Sequence, residues 1–178
     1  MSKQPKTVSQ SRVRMTELVM PNDTNPLGNL MGGRLLQWMD VCAAIAAQRH
    51  SNRICVTVSV DSVEFRSAIK LGEVVVIEGA VTRAFRTSME VGLTVYAENP
   101  FTGERRLSNR AYYTFVAVDQ NGHPIPVPEI VPETPEEKEE YENALKRREL
   151  RLLLAGRLKL SEADSALRED LLRILHRE

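Results

Sequence analysis

The sequence predicts an α+β fold in which one antiparallel sheet wraps a single long helix. Three observations lead there. Residues 32–50 read as a helix that is apolar on almost every side: Leu35, Leu36, Trp38, Met39, Cys42, Ala43, Ile45, Ala46 and Ala47 leave Arg34, Gln37 and Gln48 as a narrow polar wedge. A helix with so little polar face has to be covered by other elements. The chain that follows supplies strands, because Val- and Ile-rich runs at 73–85, 89–97 and 110–118 alternate with polar residues. Tight turns at 85–87 and 99–104 join these runs as hairpins. The resulting order, β-α-β-β-β-β, sets one helix against one sheet.

Each element has its own signal. Residues 1–12 are polar with little apolar content, and a flexible N-terminal arm is expected there. A first strand runs from Val13 to Met20. In residues 55–60, Val56, Val58 and Val60 alternate with Cys55, Thr57 and Ser59, the pattern of a half-buried strand. The phase then slips to Val63 and Phe65, which places a bulge near Asp61 and Ser62. The last strand stops at the Asn121-Gly122 turn. A curved sheet around one central helix is the hotdog arrangement, assigned to residues 13–133. From Thr134 the composition changes. Glu136, Glu137, Lys138, Glu139 and Glu140 begin a charged helix, with Pro135 suited to its first turn. A second short helix is expected from Ser161, where S-E-A-D resembles a capping box and Leu167, Leu171, Ile174 and Leu175 share a face. Residues 134–178 thus form a charged helical C-terminal extension. Its Leu150, Leu152, Leu153, Leu154, Leu158 and Leu160 are too many to leave in water, so part of it is expected to pack on the body or a neighbour.

Composition narrows the function. The 24 basic and 24 acidic residues cancel, which argues against a general nucleic-acid binder. No apolar run is long enough to span a membrane, and the N-terminus lacks the apolar core of a signal peptide. Two cysteines, Cys42 and Cys55, make no disulfide framework, and a cytoplasmic location is expected. There is no G-x-S-x-G elbow, Walker A loop or H-E-x-x-H pair, and His50, His123 and His176 lie far apart.

The loop from Pro21 to Gly33 carries more information. Glycines at the start of a helix let an oxygen approach the free amides there, and those amides stabilise charge on a carbonyl oxygen. Asp40 is the only carboxylate between Gly32 and His50, and it shares its side with Leu36, Ala43, Ala44 and Ala47. An acid among small apolar residues breaks the local rule, and burial there suits a general base. The alternative is a pairing with Arg34, Gln37 or another subunit. Asn29 reads either as a turn residue or as an amide that positions water near the helix start.

The stretch L-V-M-P-N-D-T-N-P-L-G-N-L-M-G-G-R-L-L-Q-W-M-D resembles the signature of hotdog-fold acyl-CoA thioesterases, the family of the YciA-type bacterial enzymes and the mammalian brain acyl-CoA hydrolase. The likeness continues through V-T-V-S-V-D-S-V-E-F, R-T-S-M-E-V and Y-T-F-V-A-V-D-Q-N-G, and covers about residues 13 to 140. It implies Asp40 as the catalytic acid, Asn29 as the loop residue and the Gly32 amide as the group polarising the thioester carbonyl. Asp40 would activate a water or attack the carbonyl itself. Gly33 and the hairpin Arg86, Thr87 and Ser88 match segments that contact coenzyme A, with Arg66, Arg83 and Arg110 as weaker candidates. The resemblance also implies a homo-oligomer, a hexamer built as a trimer of dimers, with Asn29 and Asp40 of one site on opposite chains. Met31 departs from the His or Phe of many members, and the extension after about Lys146 has no family counterpart. A thioester has a good leaving group, so neither a metal nor another cofactor is expected; coenzyme A enters as part of the substrate. Two rivals use the same fold. A hydroxyacyl-thioester dehydratase needs a histidine beside the helix, and residues 21–31 hold none. A non-catalytic acyl-CoA binding or sensing protein could dispense with Asp40.

Overall fold

The computed structural model describes residues 4–61, 63–65 and 67–175, so the expectations that involve Ser62, Arg66 and His176 lie outside the described residues. The chain divides into two compact units, Met1–Glu133 and Thr134–Glu178. In the first, strands β1 (Lys6–Thr7), β2 (Val13–Leu18), β3 (Ile54–Val60), β4 (Val74–Ala84), β5 (Ser88–Glu98), β6 (Arg105–Val118) and β7 (Ile130–Val131) accompany one helix, α1 (Gly32–Ser51). Five of them form an antiparallel sheet in the order β2-β4-β5-β6-β3. Among the described residues no helix is long and apolar enough to cross a membrane.

Alternation decides which face of the sheet meets α1. Val75, Ile77, Val81, Met89, Val91, Leu93, Val95, Ala111, Tyr113 and Phe115 are buried, as are Leu35, Met39, Cys42, Ala43, Ala46 and Ala47 of the helix. The approach is close at Gly79, where a Cβ would lie 2.6 Å from Leu93 Cδ2 and 3.4 Å from Cys42 Sγ. A side chain there would first displace the Leu93 methyl of the neighbouring strand, in a space that Cys42 of the helix already borders. The sheet does not enclose the helix completely. Val41 is 45% exposed, and Leu36, Asp40, Ala44 and Ile45 are only half-buried. One flank of an otherwise apolar helix therefore stays open beside the edge strand β3.

Two expectations need correction. Residues 6–12 of the predicted flexible arm are anchored. Strand β1 pairs in parallel with β7, Val8 is buried, and the buried Ser11 hydroxyl donates to Val8 O at 2.8 Å and accepts from Val81 N at 2.9 Å. Lys6 Nζ donates to Arg49 O at 2.7 Å and Asn52 Oδ1 at 2.6 Å, so a cation from the arm sits at the negative end of α1. His50, at the same end of the helix, is fully buried with Nε2 2.8 Å from Pro128 O.

The second correction concerns β3. Its register against β6 shifts between Thr57 and Ser59, three residues before the expected bulge. Thr57 pairs with Phe115 and Val60 with Tyr113, both on the helix-facing side, whereas Val56 pairs with Val116 on the other. The strand lies at the sheet edge, and Ile54, Val56, Val58 and Val60 are 44–58% exposed. The apolar alternation was legible, but in the single chain it buries little.

The second unit begins at Thr134, whose side chain accepts from Glu137 N while Glu137 bonds back to Thr134 N, a capping box on α2 (Pro135–Leu154). A left-handed Gly156 (φ 65°) ends the turn that follows. The last helix, α3 (Ser165–Leu175), starts four residues later than the Ser161 signal suggested, after a short 3-10 turn at Leu160–Glu162. Asp164 N donates to Glu149 Oε2 at 2.9 Å and ties the start of α3 to α2. Leu167 is buried and Leu171 half-buried, while Leu154 is 81% exposed. The side chains of Ile174 and Leu175 lie outside the described set.

Arg106 grips both oxygens of Glu73, at 2.6 and 2.7 Å, and also donates to Ala68 O at 2.8 Å. This holds the chain between β3 and β4 against β6. The Arg106 hydrogen bonds keep the Glu73 carboxyl below its ordinary range despite partial burial. A lowered folded value means stability that is present above the unfolded value and lost as pH falls through the folded one. Arg106→Met should therefore cost about 1 kcal/mol at neutral pH, modest because the arginine is partly solvated. The difference from wild type in urea unfolding should shrink below the normal carboxylate range; a pH-independent gap would show that the pair contributes by packing alone.

Candidate active site

The loop ahead of α1 is braced by its own backbone and two side chains. Asp23, 5% exposed, accepts from Met20 N at 3.0 Å through one oxygen and from Arg34 Nε at 2.7 Å through the other. Asn25 Oδ1 accepts from Leu27 N at 2.9 Å and Asn29 N at 3.2 Å, and Asn25 N donates to Asn29 O at 2.8 Å. Leu30 N donates to Ile69 O, Leu71 N to Gly28 O, and Met31 N to Asp23 O, at 2.7–2.9 Å. These bonds deliver Met31 as the N-cap of α1 in extended conformation, with no side-chain cap. Its carbonyl takes the amides of Arg34 and Leu35. The Gly32 and Gly33 amides, the first of the helix, have no intrahelical acceptor and point their N–H groups outward along the positive end of the dipole. The Phe65 ring lies over this point: a Cβ on Gly32 would be 3.2 Å from Phe65 Cζ. Asn29 contributes its main chain to the brace, and its half-buried side chain bonds to no described residue.

Asp40 stands on the open flank of α1, half-buried. The alternative pairing with Arg34 or Gln37 does not form, because Arg34 is committed to Asp23 and to Gln37 Oε1 at 2.7 Å. The carboxylate instead accepts a hydrogen bond from Thr57 Oγ1 at 2.8 Å. Tyr113 lies close enough to feel the charge: burial, and then Asp40, push its phenol up to about 12. Tyr113 therefore stays protonated beside the acid at any physiological pH.

Helix geometry separates the two halves of the predicted site. Asp40 stands eight positions after Gly32, about 12 Å along the axis at 1.5 Å per residue. An oxyanion donor must lie about 3 Å from the carbonyl oxygen, and a base about 3 Å from the water that attacks the same carbonyl. Within one chain the structure groups Gly32, Gly33, Asn25, Asn29 and Phe65 at the helix start, and Asp40, Thr57 and Tyr113 further along, without joining the groups.

The hairpin candidates belong to the second group. Thr57 faces Phe115, which faces Met89, so the hairpin root stands two strand spacings, about 10 Å, from Thr57. The hairpin backbone is tied down through Phe85 N to Ser88 O, Ala117 N to Thr87 O and Val127 N to Arg86 O, at 2.8–3.1 Å. The Arg86 side chain is exposed. Arg83 lies over the Phe85 ring at 5.7 Å and Arg110 is exposed. Among the described residues no group of three His, Cys, Asp or Glu is placed to hold a metal ion. Cys42, fully buried, has its thiol pushed up to about 11 by that burial, which suits a core residue and not a nucleophile.

Sequence reasoning passed over Thr57, Asn25 and Tyr113. The slipped alternation in β3 was the available signal for Thr57, since a bulge re-aims the side chains beside it.

Comparison with known proteins gives this geometry a context. The thioesterase superfamily model matches residues 27–103. The acyl-CoA thioester hydrolase YkhA of Bacillus subtilis is 44% identical over 138 residues, 78% of this chain and 80% of that protein. A hexameric acyl-CoA thioesterase of known structure is 46% identical, with a TM-score of 0.83 over 86% of this chain and 98% of its own. The acyl-CoA hydrolase of Staphylococcus aureus is 35% identical, with a TM-score of 0.78 over 85% of this chain and 94% of its own; it has been solved with butyryl coenzyme A and coenzyme A. That protein is also known as alanine variants of an asparagine, an aspartate and a threonine, successively 15 and 17 residues apart. Some mammalian relatives are much longer, and this chain spans 26% of the rat acetyl-coenzyme A thioesterase. With the sheet-wrapped helix, the glycine pair at its start and the acid on its flank in place, the chain belongs to the hotdog-fold acyl-CoA thioesterase family.

Proposed function

We propose that this protein hydrolyses fatty acyl-CoA to the free acid and coenzyme A, in a site completed by a second copy of the chain. One observation carries the reading: among the described residues the Asp40 carboxylate has no cationic partner and bonds to Thr57 alone, and it lies too far from the Gly32 amide of its own helix to act with it on one carbonyl. Asp40 takes a proton from water as the water oxygen attacks the thioester carbonyl carbon. The Gly32 amide of the other chain holds the oxyanion. Collapse of the intermediate breaks the C–S bond, and the proton on Asp40 passes to the departing sulfur. Thr57 orients the carboxylate. Tyr113 stays neutral beneath it and adds no competing charge.

Homo-oligomerisation follows from the same facts and is supported by hexameric relatives. The exposed β3 edge and the open flank of α1 adjoin Asp40, so a second copy seated there could bring its helix start to the carboxylate. Arg86, Thr87 and Ser88, with Gly33, would bind coenzyme A, with the Arg86 guanidinium on a phosphate. A cytoplasmic location fits a chain whose two cysteines make no disulfide framework.

The loop residue that places the water has two candidates. Asn29 follows from its position near the helix start. Asn25 is favoured by spacing: Asn25, Asp40 and Thr57 reproduce the intervals of the three residues varied in the S. aureus relative. The Asn25 oxygen is engaged by two loop amides, which leaves its NH2 group to face substrate or water.

Release of free thiol from a series of acyl-CoA esters tests the activity. Asp40→Asn should reduce kcat by about a thousandfold, within the usual range for a general base. Full activity in that variant would remove Asp40 from the mechanism, and no release by the wild type would leave a non-catalytic acyl-CoA binding protein. Asn25→Ala should lower kcat by at least about tenfold through loss of one hydrogen bond to the reacting centre, and by more than Asn29→Ala; the reverse ranking would return the water-placing role to Asn29.

A further inference from the structure

The segment between β3 and β4 forms an arch over the start of α1. Its ends are fixed to β6, through Asp61 N to Tyr112 O at 3.0 Å and Arg106 Nη2 to Ala68 O at 2.8 Å. Midway, Phe65 reaches the Gly32 position. Strand β3 pairs with β6 only as far as Val60 and Tyr113. Beyond that the arch takes its place, and the helix-facing residues of β6 between the two anchors are Asn109 and Ala111, opposite Val95 and Leu93.

Asn109 is out of keeping with that row. It is 3% exposed, its Oδ1 has no hydrogen-bond partner, and its Nδ2 has only the Met39 sulfur at 4.0 Å. Turning the carboxamide over would exchange the two atoms and still leave one unpaired. The buried Ser67 hydroxyl, on the arch itself, is likewise without a partner. A buried amide lacking partners is unfavourable, and such groups are rare in native structures unless a ligand completes them. Met39 precedes Asp40 in the chain, so the unpaired amide lies against the stretch of α1 that carries Asp40.

We propose that Asn109 is a specificity-determining residue that accepts a hydrogen bond from a hydroxyl group on the acyl chain, so that hydroxyacyl-CoA esters are favoured over plain acyl-CoA esters of equal length. This rests on the thioesterase reading above. A purely apolar acyl group would leave the amide unpaired in the complex, at the same cost as in the free enzyme. A hydroxylated one gains a bond without displacing an existing partner. A site built to receive a hydrogen bond discriminates against the analogue lacking it.

The experiment compares kcat/KM for hydroxyacyl-CoA and straight-chain acyl-CoA of the same carbon number in wild type, Asn109→Leu and Asn109→Ala. The wild type should prefer the hydroxylated ester, and both variants should lose about tenfold of that preference. Activity on the straight chain should stay within about threefold. The melting temperature of Asn109→Leu should be equal or higher, because an unsatisfied amide is replaced by an apolar group of similar size. An equal loss on both esters, as expected if the amide binds pantetheine or only supports the fold, would overturn the proposal, as would an unchanged ratio. If Asn109→Leu does not fold, the Asn109→Ala ratio decides. If the wild type releases thiol from neither ester, the hydrolase reading fails; titration calorimetry with the two esters then decides on Asn109, with equal affinities counting against it.

Discussion

The rise of an α-helix sets the main constraint on this protein. The polarising amide must be at the start of α1, because only the first turn leaves N–H groups unbonded. The acid cannot be there too, since the loop ahead of the helix already uses its carboxylate, Asp23, to hold Arg34 and the Met20 amide. Asp40 therefore stands two turns on, and the resulting separation is rigid. No side-chain rotation closes about 12 Å along a helix axis. With the roles proposed for Gly32 and Asp40, one chain could not bring both to the same carbonyl. Under the proposed assembly, each active site takes its acid from one helix and its amide from another.

The surroundings of Asp40 follow from that division. The sheet buries one side of α1 closely, with Cys42 Sγ 3.4 Å from where a Cβ on Gly79 would stand. Continuing the wrap around the other side would seal the acid from substrate. The edge strand β3 stops short of this. Its bulge turns Thr57 toward the carboxylate and Val60 to the same side, and leaves Val56 on the other. A regular strand would set Thr57 and Val60 on opposite faces. The irregularity thus supplies the acid with one neutral hydrogen-bond donor, and no cation among the described residues holds it in a closed pair.

Much of this was legible in the residues. The helix, the four long strands and the hairpin turns follow from periodicity, because burial against one helix imposes a period of two on every strand beneath it. Asp40 was conspicuous because nothing else on the helix was acidic. The anchoring of the arm was not legible, because it depends on one serine hydroxyl reaching Val81 N and one lysine reaching the end of α1, contacts between residues 43 to 70 positions apart. The bulge position was misplaced for a similar reason: the apolar alternation runs unbroken through Val56, Val58 and Val60, and pairing with β6 alone shows the shift between Thr57 and Ser59. Asn25 drew no reading of its own, because a side chain whose oxygen braces a loop, here by accepting from the Leu27 and Asn29 amides, gives no separate sequence signal.

The exposed β3 edge bears on the same question from the side of stability. An unpaired, valine-rich edge strand offers hydrogen-bonding groups to any other chain, and proteins that stay monomeric usually blunt such edges with charge or proline. Ile54, Val56, Val58 and Val60 carry neither, and Val41 extends the apolar surface onto the open flank of α1. Keeping that surface exposed would be costly and serve no purpose in a monomer. A second copy covering it removes the edge and shields the Val41 flank. Under the proposed assembly the same contact would exclude bulk water from the neighbourhood of the Asp40 carboxylate, so that the shared site and the covered edge would be two consequences of one arrangement. Charge placed at Val56 or Val58 would act on assembly first and on catalysis only through it.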